Sequence, residues 1–260
     1  MNFDILPTRS GGVAENMATD FLLLQRYPAA GVARFRHYGW RGPAWTFGYS
    51  QKIAFVRTQL PAGANPNEIC RRPTGGGVVD HRDDWTYALV IPRGYALEEL
   101  RASESYRRVH ECLATALRAQ GVPAVVKASC EPPVERVDRN ALPDEPAPLD
   151  QDAPPTCGPA GVCFRRAELY DVVHGDTGEK IAGAAQKRNK HGLLFQGSLC
   201  RPAVGAAPAV DWEAFGGAFI AALAAELATE PKATPWPEFN EDEVSGLVDQ
   251  YASAEWVEYR

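Results

Sequence analysis

Lys180 is the first side chain whose surroundings would allow it to do chemistry. It lies in GEKIAGAAQKR, where small residues follow it and leave space for a ligand beside its stem. A half-buried amine in such a place needs an anionic or carbonyl partner. The alternative is a solvated lysine of a surface hairpin, because most lysines lie at the surface. Lys180 is therefore a candidate for holding a carbonyl or anionic group of a substrate.

Cys163 is the candidate nucleophile. It ends a proline-rich segment and comes just before a predicted strand, with Lys180 on the strand after that. A loop cysteine near a lysine can react as a thiolate, because a nearby cation lowers the pKa of a thiol. The alternative is a small buried apolar residue, which is how we interpret the other five cysteines. The sequence has no CxxC pair and no Cys/His cluster with zinc spacing, so it predicts no metal site.

Three consecutive glycines, Gly75, Gly76 and Gly77, follow the pair Arg71–Arg72 in RRPTGGGVVDH, and His81 closes the motif. Glycine adopts positive φ without strain and lets a main chain approach a ligand closely. His81 would act there as a base or as a hydrogen-bond donor. The alternatives are a plain hairpin turn with surface arginines and a structural histidine.

The glycine motif does not match two common nucleotide-binding loops. A P-loop is excluded because no Lys-Ser/Thr pair follows the glycines. The dinucleotide fingerprint is excluded because no helical pattern follows them. The motif leads instead into Trp85–Pro92, which reads as a buried strand.

Hydrophobic periodicity and turn residues place the elements that must position these groups. Antiparallel hairpins combined with segregated helices favour an α+β fold over a doubly wound sheet. Gly121 is expected to end the second helix, and Asp211 to cap the third. The predicted helices are Ala14–Arg26, Ser103–Gln120, Trp212–Leu227 and Glu241–Tyr251, and the predicted strands are Val32–Tyr38, Ala44–Tyr49, Trp85–Pro92, Ala124–Lys127, Leu169–Val173, Lys180–Lys187 and Gly192–Cys200.

The segment Glu131–Val162 differs in composition from the rest of the chain. It contains eight prolines and seven acidic residues against two arginines. Such a segment cannot pack well and is expected to be a long surface loop or a mobile insertion. The 260 residues fit one large domain or two small ones, and Glu230–Phe239 reads as a proline-rich connector.

Charge and hydropathy argue against several function classes. The net charge of −6 argues against nucleic acid as the main partner. The N-terminus lacks a basic segment followed by an apolar run, and no apolar run approaches 18 residues. We therefore expect a cytoplasmic protein with free thiols, without a signal peptide or a membrane span.

The motifs RRPTGGGVVDH, KIAGAAQKR and HGLLFQGSL together resemble the lipoate–protein ligase and octanoyltransferase superfamily, the biotin/lipoate A/B protein ligase domains. AENMATDFLL and RFRHYGWRGPAWTFGYSQ also match, so that the resemblance covers roughly residues 12–200. It implies a mixed, mostly antiparallel sheet flanked by helices, similar to class II aminoacyl-tRNA synthetases and biotin ligases. It implies one catalytic domain over residues 1–260, with an insertion at 131–162 and a short helical C-terminal extension at 201–260.

Cys163-Phe164, with Tyr170-Asp171 after it, resembles the single-cysteine octanoyltransferases within this superfamily. The resemblance implies transfer of an octanoyl group from octanoyl–acyl carrier protein through a thioester on Cys163 to a lysine of a lipoyl carrier domain. That domain would be of the glycine-cleavage H or dehydrogenase E2 type, and no cofactor is implied. Lys180 would hold the acyl carbonyl, and the residues expected to bind substrates or line the entrance are Arg71, Arg72, Gly75, Gly76, Gly77, His81, Gly183 and Ala184.

Two alternatives stay open. In an ATP-dependent lipoate–protein ligase, Arg72, the glycines and Lys180 would bind lipoyl-adenylate with Mg²⁺, and Cys163 would be incidental. A non-catalytic protein that binds acyl groups or carriers would keep the pocket alone. The presence of both Lys180 and Cys163 favours an enzyme.

Overall fold

The computed structural model describes residues 1–129, 167–206 and 209–259. Within these ranges the chain forms two sheets and seven α-helices. The strands are β1 (Asn2–Ile5), β2 (Arg9–Gly11), β3 (Val32–Trp40), β4 (Trp45–Phe47), β5 (Ile69–Arg71), β6 (Val79–Asp80), β7 (Asp84–Pro92), β8 (Ala124–Val126), β9 (Val172–His174), β10 (Lys180–Asn189), β11 (Gly192–Cys200) and β12 (Pro231–Ala233). The helices are α1 (Val13–Gln25), α2 (Ile53–Gln59), α3 (Ala96–Glu99), α4 (Ala102–Ala119), α5 (Trp212–Glu226), α6 (Glu241–Ala252) and α7 (Ala254–Val257).

The main sheet is mixed and mostly antiparallel. Its strand order is β12-β1-β3-β7-β11-β10-β9-β8, and β2 pairs with β3. All pairs from β3 to β8 are antiparallel, whereas β1 pairs in parallel with β3 and β12, as β2 does with β3. A smaller sheet has the order β5-β4-β6. The α+β fold and the character of its sheet are thus confirmed.

Helices cover both faces of the central strands, which explains why β7 and β11 are almost wholly buried. Alternate side chains of β7, such as Tyr87 and Leu89, pack with Phe219 of α5 and Leu113 of α4. Ala88 and Val90, which alternate with these residues along β7, pack with leucines of α1 on the opposite face. The small sheet lies on this second side, because Cys70 of β5 packs with residues of α1.

Local signals decide where the long helices begin and end. Gly121 has φ +81° and ends α4, since this backbone conformation suits glycine. The Asp211 carboxylate accepts hydrogen bonds from the N–H groups of Glu213 and Ala214 and caps α5. Both predictions are confirmed, and every helix and strand predicted from periodicity is present with ends shifted by a few residues at most.

The residues after 200 are built more closely into the fold than a helical extension would be. Phe215 and Phe219 of α5 are fully buried in the same core as the central strands. The predicted connector Glu230–Phe239 contains β12, which lengthens the main sheet beside β1. Short elements such as β1, β2, β6 and α2 were not predicted at all.

Two of the sequence predictions concern residues that the structure does not describe. The segment Glu131–Val162 and Cys163 lie outside the described residues. Among the helices of the described ranges, none combines the length and the apolar character needed to cross a membrane.

Candidate active site

A cavity lies between the main sheet and the small sheet, with α1 at one side. Its empty space is about 480 Å³, part of which is open to solvent. Strands β10 and β11 supply one wall, and the antiparallel register places Ala184 opposite Gly197 and Gly183 opposite Ser198. The lining residues are Met17, Tyr38, Thr46, Arg72, Gly76, Val79, His81, Thr86, Lys180, Gly183, Ala184, Ala185, Gln196, Gly197 and Ser198.

Lys180 is the first residue of β10 and lies in the wall of this cavity. Its side chain is only 7% exposed, and its Nζ lies 2.7 Å from Oδ2 of Asp171, which is 1% exposed. This pair gives the buried amine an anionic partner. Because that partner is a residue of the protein, Lys180 takes part in a buried ion pair of the fold and also lines the cavity.

Gly183 and Ala184 lie beside the lysine for different reasons. A Cβ at Gly183 would lie 2.9 Å from both Cε and Nζ of Lys180 and 3.1 Å from Oδ1 of Asp171, so a larger residue would displace the end of the lysine side chain from the ion pair. The Ala184 N–H donates to the Tyr106 hydroxyl, 3.0 Å away. Both residues lie in the cavity lining.

The glycine turn forms the opposite side of the cavity, and Gly76 is the glycine that needs its special backbone. Gly76 has φ +89° and is exposed at the cavity, whereas Gly75 and Gly77 do not lie in its lining. The Arg72 guanidinium donates to the carbonyls of Gly75 and Gly77 at 2.8 and 2.9 Å. Arg72 therefore fixes the shape of the turn from inside.

Gly48 holds the same turn from outside. A Cβ at Gly48 would come within 2.8 Å of the Gly76 nitrogen and 2.7 Å of the Gly75 carbonyl carbon. The neighbouring Tyr49 N–H donates to the carbonyl of Thr74 at 2.8 Å. The turn is thus packed main chain against main chain, which requires a residue without a side chain at Gly48.

His81 belongs to a chain of buried hydrogen bonds. Its Nδ1 lies 2.6 Å from Oδ2 of Asp84, and its Nε2 lies 2.7 Å from Oγ1 of Thr46. The same Thr46 oxygen accepts from Arg72 at 2.7 Å. The ring also packs on Trp40, with 4.3 Å between centroids. His81 lines the cavity, yet its two nitrogens are engaged within the protein.

The polar groups of the cavity wall are mostly paired with other groups of the protein. Thr86 and Ser198 donate to the same Asp84 oxygen, at 2.7 and 2.5 Å. Gln196 donates to Asp20 at 2.7 Å and accepts from Thr74 at 2.7 Å. A hydrocarbon chain entering the cavity would therefore not have to break these hydrogen bonds, and its burial against carbon atoms would be favourable.

The prediction that Arg71 lines the entrance is wrong. Arg71 is fully buried, and its guanidinium donates to four main-chain carbonyls: those of Tyr49, Gln51, Trp256 and Val257. These carbonyls belong to the segment after β4 and to α7. Arg71 therefore joins the C-terminal helices to the small sheet and does not face the cavity.

Arg72 and His81 also differ from what was predicted for the entrance. Both are more than nine-tenths buried, and both make the hydrogen bonds described above. They line the cavity from the side of the small sheet. The sequence could not show this, because the shared partner Thr46 lies 26 residues before Arg72 and 35 residues before His81.

Three of the six cysteines lie in the described part of the chain, and each is a free thiol. Burial is the main cause that raises the pKa of Cys70 and Cys200, and it raises the pKa of Cys112 to about 12. Thiols with raised pKa values are poor nucleophiles. The interpretation of these three as packing residues agrees with their surroundings. Cys130 and Cys157 lie outside the described residues, as Cys163 does.

Asp171 and Tyr106 are site residues that the sequence did not identify as functional. The Tyr106 hydroxyl donates to Oδ1 of Asp171 at 2.5 Å, and burial together with that carboxylate raises the tyrosine pKa well above its usual value. Little in the sequence indicates a function for either residue. Asp171 follows Tyr170 in a motif, and Tyr106 is one of several inward residues of an amphipathic helix.

The family model for the lipoyl protein ligase A/B catalytic domain matches residues 13–203 of this chain. Among curated relatives, the Octanoyltransferase LipM of Exiguobacterium sp. is 32% identical over 197 residues, covering 75% of this chain and 64% of that protein. The Octanoyltransferase LipM of Kyrpidia tusciae is 31% identical over 196 residues, with the same coverage. The chain thus spans 64% of the length of these relatives.

Solved structures with the same fold include a lipoate–protein ligase A bound with ATP, with a TM-score of 0.67 and 18% identity, covering 99% of this chain and 98% of that one. Another is a bi-partite lipoate protein ligase from Thermoplasma acidophilum, described with its E2 lipoyl domain. Its TM-score is 0.68 at 17% identity, with coverage of 100% and 98%. At these identities the likeness concerns the fold.

Proposed function

This chain belongs to the lipoyl protein ligase A/B catalytic-domain family, and we propose that it transfers an octanoyl group from a thioester donor to a lysine of a lipoyl carrier domain. The observation that carries the proposal is the buried Lys180 ammonium in the wall of a cavity that also has the Gly76 turn. Relatives named octanoyltransferases favour this chemistry over others on the same fold.

The first half-reaction forms a thioester on Cys163. The thiolate attacks the carbonyl carbon of octanoyl–acyl carrier protein, the carbon–sulfur bond to the donor breaks, and the donor leaves as a thiol after taking up a proton. The assignment of Cys163 rests on the resemblance of its motif to the single-cysteine enzymes. Its own thiol must reach the thiolate form for this step, as every cysteine nucleophile does.

Lys180 acts on the carbonyl oxygen in both half-reactions. Negative charge develops on that oxygen when a nucleophile adds to the carbonyl carbon, and a fixed ammonium group stabilises it. The low exposure of Lys180 strengthens this interaction, because water screens the charge less. The octanoyl chain would lie along the cavity between the Ala184–Ala185 stretch of β10 and Met17.

The second half-reaction moves the acyl group to the carrier. The acceptor lysine enters as the free amine, attacks the Cys163 thioester, and forms an amide while Cys163 leaves and regains a proton. This route consumes no ATP, and we propose that no cofactor takes part. The donor would be octanoyl–acyl carrier protein and the acceptor a lipoyl domain of the H or E2 type.

A transfer assay with two donors tests the proposal. The protein is incubated with an apo lipoyl domain and either octanoyl–acyl carrier protein without ATP, or octanoate or lipoate with ATP and Mg²⁺. Mass spectrometry of the lipoyl domain reports the modification. Octanoylation in the first mixture and none in the second is expected.

The alternatives give different results in the same assay. Modification only with ATP, undiminished in Cys163→Ala, would assign the protein to the ligase chemistry and refute the thioester route. Tight binding of an acyl carrier without any modification would assign it to the non-catalytic binding proteins.

A further inference from the structure

Asp171 is a buried acid in contact with Lys180 that the proposed mechanism has not used. Both of its oxygens are occupied: Oδ2 contacts Lys180 Nζ at 2.7 Å and accepts from the Glu168 N–H at 2.6 Å, and Oδ1 accepts from Tyr106 at 2.5 Å. A carboxylate with this many donors is held in one position. The lysine that contacts it is then held as well.

Tyr106 ties this carboxylate to strand β10. Its hydroxyl donates to Asp171 and accepts from the Ala184 N–H at 3.0 Å. Ala184 is four residues after Lys180 on the same strand, with Gly183 between them leaving space for the pair. The arrangement therefore fixes the acid and the lysine relative to the cavity wall.

Among the described residues, the acid in contact with Lys180 is Asp171, and the acids next to the pair in sequence, Glu168 and Glu179, are exposed. From α4, His110 packs on Tyr106 with 4.1 Å between ring centroids, and burial lowers its pKa to about 4, so that it is neutral near pH 7. From the small sheet, Arg72 and His81 line the same cavity.

We propose that Asp171 and Tyr106 are positioning residues that hold Lys180 as a fixed ammonium ion in the cavity wall. In the octanoyl transfer on which this inference rests, the lysine then stabilises charge on the carbonyl oxygen and does not carry protons between reactants. The physical reason is that an opposite charge at short distance favours the charged form of a buried amine. Here that charge is the Asp171 carboxylate, and both of its oxygens are held by the contacts described above.

The test measures the protonation of Lys180 directly and needs no acyl substrate. The folded protein is treated with trace acetic anhydride over a range of pH, and peptide mass spectrometry gives the acetylation rate of Lys180, since only the neutral amine reacts. In Asp171→Asn the midpoint of the rate profile should move down by about 1 to 3 pH units, the size of the effect of one close opposite charge. An unmoved midpoint would overturn the proposal.

Asp20→Asn is the matched control, because Asp20 is another fully buried acid in an ion pair, with Arg36 at 2.7 Å. Arginine keeps its charge at accessible pH, so this variant should leave the Lys180 midpoint in place. An equal shift in both variants would mean that general loosening of the fold, and not the Asp171 charge, is responsible.

Tyr106→Phe and Tyr95→Phe keep the proposal testable if Asp171→Asn does not fold. Tyr106→Phe removes a donor to Asp171, and its Lys180 midpoint should shift down by less than in Asp171→Asn. Tyr95→Phe removes a hydroxyl that bonds only to main-chain groups of residues 2, 31 and 33 and should leave the midpoint unchanged. A Tyr106→Phe midpoint equal to that of Tyr95→Phe would count against the role of Tyr106.

The transfer rate then separates position from charge. Asp171→Asn should lower kcat, and the loss should grow as the pH rises through the labelling midpoint of that variant and shrink as the pH is lowered and the ammonium returns. Asp171→Glu restores the charge with a longer stem, so its midpoint should match the wild type while kcat stays reduced. A shifted labelling midpoint in a protein without transfer activity would leave this inference standing and refute the proposed function alone.

Discussion

Gly48→Ala should disturb the active site without adding an atom to the cavity lining. The backbone of Gly48 does not require glycine for its φ, so the effect comes from the added Cβ. That atom would lie 2.7 Å from the Gly75 carbonyl carbon and closer still to the Gly76 carbonyl oxygen, both main-chain atoms. Ordinary contact begins at 3.4 Å, so the Gly75 carbonyl carbon has to move by at least 0.7 Å and the Gly76 carbonyl oxygen by more.

A displacement of this size at a group that positions the substrate is expected to lower kcat by about tenfold to a hundredfold. The overpacking should also cost about 1 to 3 kcal/mol of the free energy of unfolding. The first effect is measured as octanoyl transfer to an apo lipoyl domain, and the second by urea denaturation.

Gly217→Ala is the control for a glycine substitution as such. Gly217 lies on the exposed side of α5, and a Cβ there would have nothing within 4 Å. This variant should keep full activity and gain about 0.5 to 1 kcal/mol, because alanine favours the helix. Gly48→Ala with wild-type kcat and wild-type stability would refute the view that the turn is packed main chain against main chain.

Three further changes test other parts of the site. Lys180→Ala should abolish most transfer and lower the free energy of unfolding by about 3 kcal/mol, because Asp171 would stay buried without its counter-ion; an active variant in the transfer assay would contradict the site. In Arg71→Lys the new side chain cannot donate to all four carbonyls, so the free energy of unfolding should fall by about 2 kcal/mol and hydrogen exchange in α7 should become faster. Unchanged exchange would contradict the view that Arg71 joins α7 to the small sheet. Burial lowers the pKa of His110 to about 4, so that protonation favours the unfolded chain. The resulting contribution to the free energy of unfolding, about 3 kcal/mol, is complete above pH 6.5 and is lost as the pH falls toward 4. His110→Gln should flatten that part of a stability–pH curve measured by urea denaturation.

The long elements were predictable because one local pattern decides each of them. The spacing of apolar residues in α4 and the alternating or continuous apolar runs of β3, β7 and β11 follow from burial on a helix face or between two layers. Short strands such as β12 carry no such pattern. All three of its residues are exposed, and the strand exists because β1 lies beside it.

The candidate site was predictable as a set of motifs but not as a set of contacts. Lys180 and Gly76 lie at the cavity. Both stand out in the sequence, because the small residues after Lys180 and the run of glycines at Gly76 are local features. The misplacement of Arg71 has a tertiary cause. Whether an arginine faces solvent or carbonyls depends on α7, which lies about 185 residues away. The partnership of Lys180 with Asp171 likewise depends on how β9 and β10 pair.

The central claim is that the octanoyl group passes through a thioester on Cys163. The most direct measurement is the intact mass of the protein after incubation with octanoyl–acyl carrier protein alone, followed by peptide mapping. We expect one added octanoyl group per chain, on Cys163, removed by hydroxylamine and by an apo lipoyl domain that becomes octanoylated in turn. A Cys163→Ser protein that still transfers octanoate at the full rate, or an unmodified wild-type protein that does so, would contradict the account.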